Sequence, residues 1–455
     1  MTAPTAATHA DPADLPRRIG FWGGSAIMVG VIIGSGIFKS PTDLARQLDS
    51  PWTALLFWLM GGLISLCGAL TYAELATMFP RSGGVYVFLR EGFGRVTAFT
   101  FGWTYMILIK PFAAGGIAIV FAEYMNQLTG SDWDPRFTTC TVLIVLTAVN
   151  SVHVQVGTGA ALLMTSLKVA ALLAIIVLAV VGGQGASANF APVASGMPLY
   201  LAIAPAMAAV LWTYDGWSDV GAVAGEVREP QRRLPRIYIC GTLLVTALYL
   251  AVNAACMSVL PVEEMRQEER IASRVMELLV GPAAATAVTL IVLVSTLGST
   301  HSSIITGARV TFAQARDGLL FRFLGRISPR FGTPIVSLWV QATLSCIAVC
   351  ALGKFSALIE GFVFVMWIFY GMAAVSVIIL RRTRPDAARP FHCPGYPWIP
   401  LAFASCAAAM TVLSILADPR TNLAWLGVLL LGPPLYWVWM KAAAMRRPGA
   451  DAPAD

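Results

Sequence analysis

Apolar residues in this chain do not alternate with polar ones; they run in long blocks separated by short polar joints. A helix needs about 20 apolar residues to cross a bilayer, because in lipid each backbone N–H and C=O must be paired within the segment. Twelve blocks of this kind can be read, near 20–48, 52–79, 94–127, 136–153, 158–183, 197–226, 235–260, 281–313, 334–353, 356–381, 397–416 and 422–441. The longer joints are 80–93, the acidic "PVEEMRQEERIASRVMELL" and 314–333, and they are expected to hold amphipathic surface helices.

Two blocks are interrupted. The first, "GFWGGSAIMVGVIIGSGIFKSPTDLARQL", is apolar from Gly20 to Ile33 and then breaks at Gly34-Ser35-Gly36. The sixth breaks from Thr213 to Asp219 in "WTYDGWSDV". With ten spans taken as two halves of five, each interruption falls in the first helix of its half, the pattern of an inverted-repeat transporter with a midplane site. A lone GxG would mean little, since glycine is common in membrane helices. The matched positions and the acidic residues of the second break carry the reading.

Unwinding a helix in lipid costs several kcal/mol per unpaired group unless something binds there. A half-helix starting after Gly36 offers free amides and a positive dipole end to a carboxylate. The first half-helices of spans one and six end in carbonyls that suit an ammonium. Together the two ends suit a zwitterion such as an amino acid.

Composition places the chain in the membrane as a whole. Only 12% of its 455 residues are charged and 57% are hydrophobic, against roughly 25% charged in soluble domains. A net charge of +7 does not indicate nucleic acid, because the basic residues cluster between apolar runs. With the N-terminus inside, 21 of the 31 Lys and Arg residues fall in inner segments and 8 in outer ones. The remaining two, Lys110 and Lys168, lie within spans. The positive-inside rule therefore puts both termini in the cytoplasm of a multi-pass plasma (cell inner) membrane protein. Residues 1–18 lack the apolar core of a cleavable signal peptide, and both 1–18 and 442–455 are expected to be disordered. The eight cysteines contain no CxxC and sit mostly in apolar runs, so neither disulfide nor metal is expected, and no cofactor motif is present. Four scattered histidines, with no HExxH, nucleophile elbow or P-loop, give no support to an enzyme.

Lys168, in "LLMTSLKVAALLAIIVLAVV", stands near mid-span. A lysine there costs about 2.5–3.5 kcal/mol and is a functional candidate, unless its ammonium snorkels to the inner surface.

The segments "GVIIGSGIFKSP", "LTYAELATMFPRSGGVYVFLREGFG", "LIKPFAAGGIAIVFAEY", "WTYDGWSDV" with "GEVREPQRRLPR", and "GARVTFAQARDG" resemble the L-type amino acid transporter family of the amino acid–polyamine–organocation superfamily. The similarity covers about residues 19–440. It implies an all-α membrane protein of 12 spans. These form a five-helix repeat (19–183), a second inverted repeat (197–382) and two added helices (397–441), with spans one and six discontinuous. It implies carboxylate-binding amides at Gly34, Ser35 and Gly36, with Ile32 and Ile33 alongside, and amine-binding carbonyls at Trp212, Thr213 and Asp215. It also implies a gating aromatic at Trp212, which could instead be a packing tryptophan. In sodium-independent members a lysine matching Lys168 replaces an ion between spans one and eight. Span eight supplies Ser295, Thr296, Ser299, Thr300, Ser302 and Ser303 as oxygens to meet it, of which Ser299 and Ser302 are the favoured candidates.

Carboxylates that could titrate during transport are Glu74, Glu123, Asp215 and Asp219; Glu123 could equally be solvated at the outer end. His301-Ser302 departs from the asparagine and glycine common in the family, and His301 could line the pocket or be a satisfied core residue. Lys110 matches a position that faces the substrate in relatives, where it could favour an anionic side chain or pair with an acid such as Asp215. Gly115 and Gly116 leave space nearby. The 128–137 loop lacks the cysteine that links some animal members to a glycoprotein subunit, so no covalent heavy chain is expected. The resulting expectation is a sodium-independent secondary transporter of L-amino acids, neutral ones first. It would work as an exchanger, a proton-linked carrier or a facilitative carrier. The alternatives are a cationic amino acid or polyamine antiporter, a non-transporting sensor on the same fold, or a channel, which would need a continuous polar pore.

Overall fold

A computed structural model of the chain describes residues 17, 19–81, 83–152, 158–182, 187–191, 198–331 and 333–445; of the ends expected to be disordered, 1–16 and 446–455 lie outside them. The described residues are helical apart from loops and one isolated parallel bridge between Ile19 and Val227. In chain order the helices are α1 (Phe21–Ile32), α2 (Gly36–Gln47), α3 (Pro51–Met78), α4 (Val85–Phe93), α5 (Arg95–Thr104) and α6 (Lys110–Thr129). They continue with α7 (Pro135–Val152), α8 (Thr158–Val181), α9 (Leu199–Tyr214), α10 (Pro230–Val259), α11 (Val262–Gln267) and α12 (Ile271–Leu279). The last are α13 (Pro282–Arg316), α14 (Ile335–Leu352), α15 (Phe355–Thr383), α16 (Trp398–Ala417), α17 (Pro419–Leu430) and α18 (Gly432–Met445).

Among the described residues, eleven spans are long and apolar enough to cross a membrane. The sixth block completes the dozen, but its helix α9 stops after 16 residues and is followed by a 3₁₀ stretch, Trp217–Glu226. The break lies at Asp215 and Gly216, later than the Thr213 start read from sequence, because Thr213 and Tyr214 still close the helix. The third and eighth spans, third helices of their respective halves, are both 35 residues long and pack against each other. The third bends through a five-residue π turn, Tyr105–Ile109, immediately before Lys110.

Surface helices form at 85–93, 262–267 and 271–279, each burying its apolar side, as in Val85, Val87 and Leu89 of α4. The 314–333 joint holds only a 3₁₀ turn at Arg322–Gly325, because α13 runs on to Arg316.

Glu74 does not stand alone in its span. Its fully buried carboxylate accepts from Arg381 Nε and Nη2 at 2.9 and 2.7 Å and from the Cys393 amide at 2.7 Å. Arg381 also lies 3.8 Å from the Tyr396 ring centre. A bidentate pair closed by a third donor holds the α15–α16 loop onto α3.

Candidate functional site

The two breaks face each other. In the first span the helix stops at Ile32 and resumes at Gly36. In the sixth, Gly216 takes φ +111°, a left-handed conformation that glycine adopts freely. A Cβ on Gly216 would come within 2.7 Å of Val31 Cγ1 and 3.1 Å of the Ile32 nitrogen; one on Gly36 would come within 2.7 Å of Thr213 Oγ1. Glycine at these two positions lets each half-helix end nest against the other. Tyr249 secures the junction from α10, its hydroxyl reaching the Ile32 carbonyl at 2.9 Å and the Thr213 carbonyl at 3.2 Å.

Between the breaks lies a small cavity of about 50 Å3, lined on one wall by Ile32, Gly34, Ser35 and Gly36 and on the others by Lys110, Trp212, Asp215, Asp219 and Ser299. The amides of Ser35, Gly36 and Ile37 have no backbone acceptor among the described residues, which leaves the N-terminus of α2 open to an anion. The Gly34 amide is different: it turns back onto the Ile32 carbonyl at 2.7 Å. Of the expected cradle, Gly34, Ser35 and Gly36 all line the cavity, and the amides left without a backbone acceptor are those of Ser35 and Gly36.

The expected carbonyl set also changes. Trp212 O accepts the Asp215 amide at 3.0 Å, and Thr213 O is occupied by Tyr249. Thr213 turns its hydroxyl to Ser40 and Ala209, both at 2.8 Å, and stays out of the cavity. Val31, whose carbonyl has no backbone donor among the described residues, lines the same cavity as Asp215, whose carboxylate accepts from Tyr370 at 2.7 Å.

Lys110 lies 3.8 Å from Asp219 and donates to Thr306 at 3.3 Å, so its acid partner is Asp219 and not Asp215. Trp212 forms an apolar wall, its ring 5.0 Å from Phe362, with Gly116 against its edge. Gly115 instead packs on Val349 of α14 and leaves no space for a ligand.

Lys168, buried on α8, donates to the Gly30 carbonyl of α1 at 2.9 Å and to Ser299 Oγ of α13 at 3.0 Å. The ammonium thus ties span one to span eight, and it does not snorkel. Of the two favoured hydroxyls, Ser299 meets it and Ser302 does not.

Three other expectations are corrected by position. Ile33 is buried behind the break and does not line the cavity. His301 faces away from it, with an Nε2 that is buried and unpartnered, so it is neither a pocket residue nor a satisfied one. Glu123 pairs with Lys39 at 2.9 Å near the outer end, where Glu269 joins the same ammonium and Arg46 holds Glu269 at 2.6 Å. That cluster latches α2 to α6 and to the α11–α12 loop, away from the cavity.

Sequence reading missed Val31, Ala113, Ile117 and Phe362 as lining residues and the Gly30 carbonyl as a lysine partner. Part of this was recoverable: positions 110, 113 and 117 share a helix face, as do 299 and 303.

This geometry can be compared with known proteins. A family model described as amino acid permease matches residues 19–437. The chain belongs to the amino acid permease family. Among its relatives, the b(0,+)-type amino acid transporter 1 of Mus musculus is 31% identical over 422 residues, covering 91% of this chain and 86% of that one. The serine/threonine exchanger SteT of Bacillus subtilis (strain 168) is 30% identical, covering 96% and 100%. The human cystine/glutamate transporter is 29% identical, covering 94% and 86%. These place the permease in the L-type transporter branch of the amino acid–polyamine–organocation superfamily, among transporters and not enzymes. Their named substrates differ, so the family alone does not fix the substrate of this member.

Proposed function

We propose that this permease is a sodium-independent exchanger of L-amino acids, neutral ones first, working by alternating access without a covalently linked subunit and with both termini in the cytoplasm. The observation that carries the reading is the facing pair of breaks: the open amides of Ser35 and Gly36 at the start of α2, with Val31 and Asp215, on one cavity. A zwitterion's carboxylate goes to the amides and its ammonium to the carbonyl and carboxylate. Trp212 closes one side over it. Lys168 supplies a fixed positive charge between spans one and eight, so no gradient of a bound metal cation is needed to assemble the site. The Lys110–Asp219 pair neutralises itself, which favours substrates without net side-chain charge.

A second reading has support of its own. Asp215 and Asp219 face the cavity against Lys110 alone, so a cationic side chain has a spare carboxylate to meet. Counterflow in proteoliposomes tests both readings. Labelled neutral amino acid is expected to accumulate only against unlabelled internal amino acid, equally in sodium and choline buffers, with Lys168→Ala abolishing it. Accumulation that requires sodium overturns the fixed-charge reading, and a preference for lysine or arginine over all neutral substrates selects the second.

A further inference from the structure

A second cavity lies away from the substrate site, where the start of α1 meets the start of α10. It is an open groove of about 650 Å3 lined by Gly20, Phe21, Trp22 and Gly23 and by Glu229, Arg232, Arg233 and Arg236. Three guanidiniums thus converge with one carboxylate. That carboxylate, Glu229, is engaged by Arg233 at 3.4 Å. Arg232 and Arg236 have no acidic partner among the described residues, and both are exposed.

The remaining wall is positive as well. The first hydrogen bond of α1 runs from the Gly24 amide to the Gly20 carbonyl, and Gly20 provides no side-chain cap. The amides of Phe21, Trp22 and Gly23 have no backbone acceptor among the described residues. Arg233 lies at the start of this helix: a Cβ built on Gly20 would lie 3.4 Å from its Nη1. A guanidinium held against the positive end of a helix is an unfavourable pairing unless an anion lies between them.

The surroundings of the groove decide the kind of anion. Arg232 and Arg236 stand on one face of α10, and that face continues through Cys240 to Leu243 and Leu244, which are 49% and 47% exposed on a membrane-spanning helix. Trp22, 74% exposed, flanks the groove where an interfacial indole belongs. A soluble anion would use the arginines but not the apolar track leading away from them. A phospholipid uses both, its phosphate on the arginines and α1 amides and an acyl chain along Leu243 and Leu244.

We propose that this groove binds an anionic phospholipid through its headgroup phosphate. Such basic pockets between helices at the inner membrane surface suit anionic headgroups. The occupant would tie the first half of span one to α10, next to the strand-like pairing of Ile19 with Glu226 and Arg228.

The test measures lipid binding to the full-length protein in neutral detergent, by native mass spectrometry and by thermal shift. The probes are phosphatidylglycerol, phosphatidylcholine with the same chains, and inorganic phosphate. Phosphatidylglycerol is expected to bind and stabilise, with the zwitterionic lipid and inorganic phosphate at least tenfold weaker. Arg232→Gln/Arg236→Gln, both exposed, is expected to weaken phosphatidylglycerol about tenfold or more. Each single variant should lose part of that, which keeps the test readable if the double variant assembles poorly. Equal retention of phosphatidylglycerol by wild type and variants would overturn the proposal. So would stabilisation by inorganic phosphate equal to that by the lipid.

Discussion

The glycines at the breaks do two different jobs, although the sequence displays them alike. Gly36 is needed for contact, since any Cβ there runs into Thr213 of the opposing half-helix. Gly34 has ordinary clearance, with Val31 O at 3.4 Å and Ser299 Oγ at 3.6 Å from its built Cβ. Gly36→Val is expected to force the half-helices apart at a cost of about 1–3 kcal/mol and to abolish substrate-induced thermal shift. Gly34→Ala should keep most of it. Equal tolerance at both positions would contradict the nested junction. The glycines and Lys168 were legible in the sequence because a break or a charge inside lipid is costly and needs a reason. The direction of each amide and carbonyl was not, because it depends on how the chain turns back at Gly34 and on Tyr249, a residue from a distant helix that occupies two of the carbonyls.

Among the elements, twelve apolar blocks were readable from length alone, and their observed ends fall close to the read ones. Periodicity could not show which elements are latched to which. Glu74 reads as a lone carboxylate in an apolar helix, yet it clamps the loop that carries the last two spans. Glu74→Gln is expected to cost roughly 3 kcal/mol or more, by leaving Arg381 without its counter-charge, while uptake per folded molecule stays near wild type; thermal unfolding beside uptake measures both. In the loop between α11 and α12, burial alone would raise the Glu269 carboxyl, but hydrogen bonds and charge from Lys39 and Arg46 hold it below its ordinary value of 4.5. A carboxyl lowered on folding stabilises the protein above its unfolded pKa, and that contribution fades as pH falls from 4.5 through the lowered folded value. Stability is therefore expected to drop with acidification below pH 4.5, and Glu269→Gln should flatten that part of the profile. An unchanged acid limb in the variant would remove Glu269 from the latch.

For the whole molecule, the fold is two interrupted helices held nose to tail by paired long spans, with function placed where the backbone is left unsatisfied. Alternating access follows if those half-helices rock against α6 and α13, to which Lys168 and the Lys39 cluster link span one on either side of its break. The central claim is that exposed peptide groups grip both charged ends of one amino acid. Competition binding tests it most directly, setting the preferred amino acid against its α-methyl ester and its N-acetyl derivative. Each blocked form is expected to lose at least a hundredfold in affinity, because one end of the site is left empty. A methyl ester that competes as well as the free amino acid would contradict the account, since the α2 amides would then hold nothing.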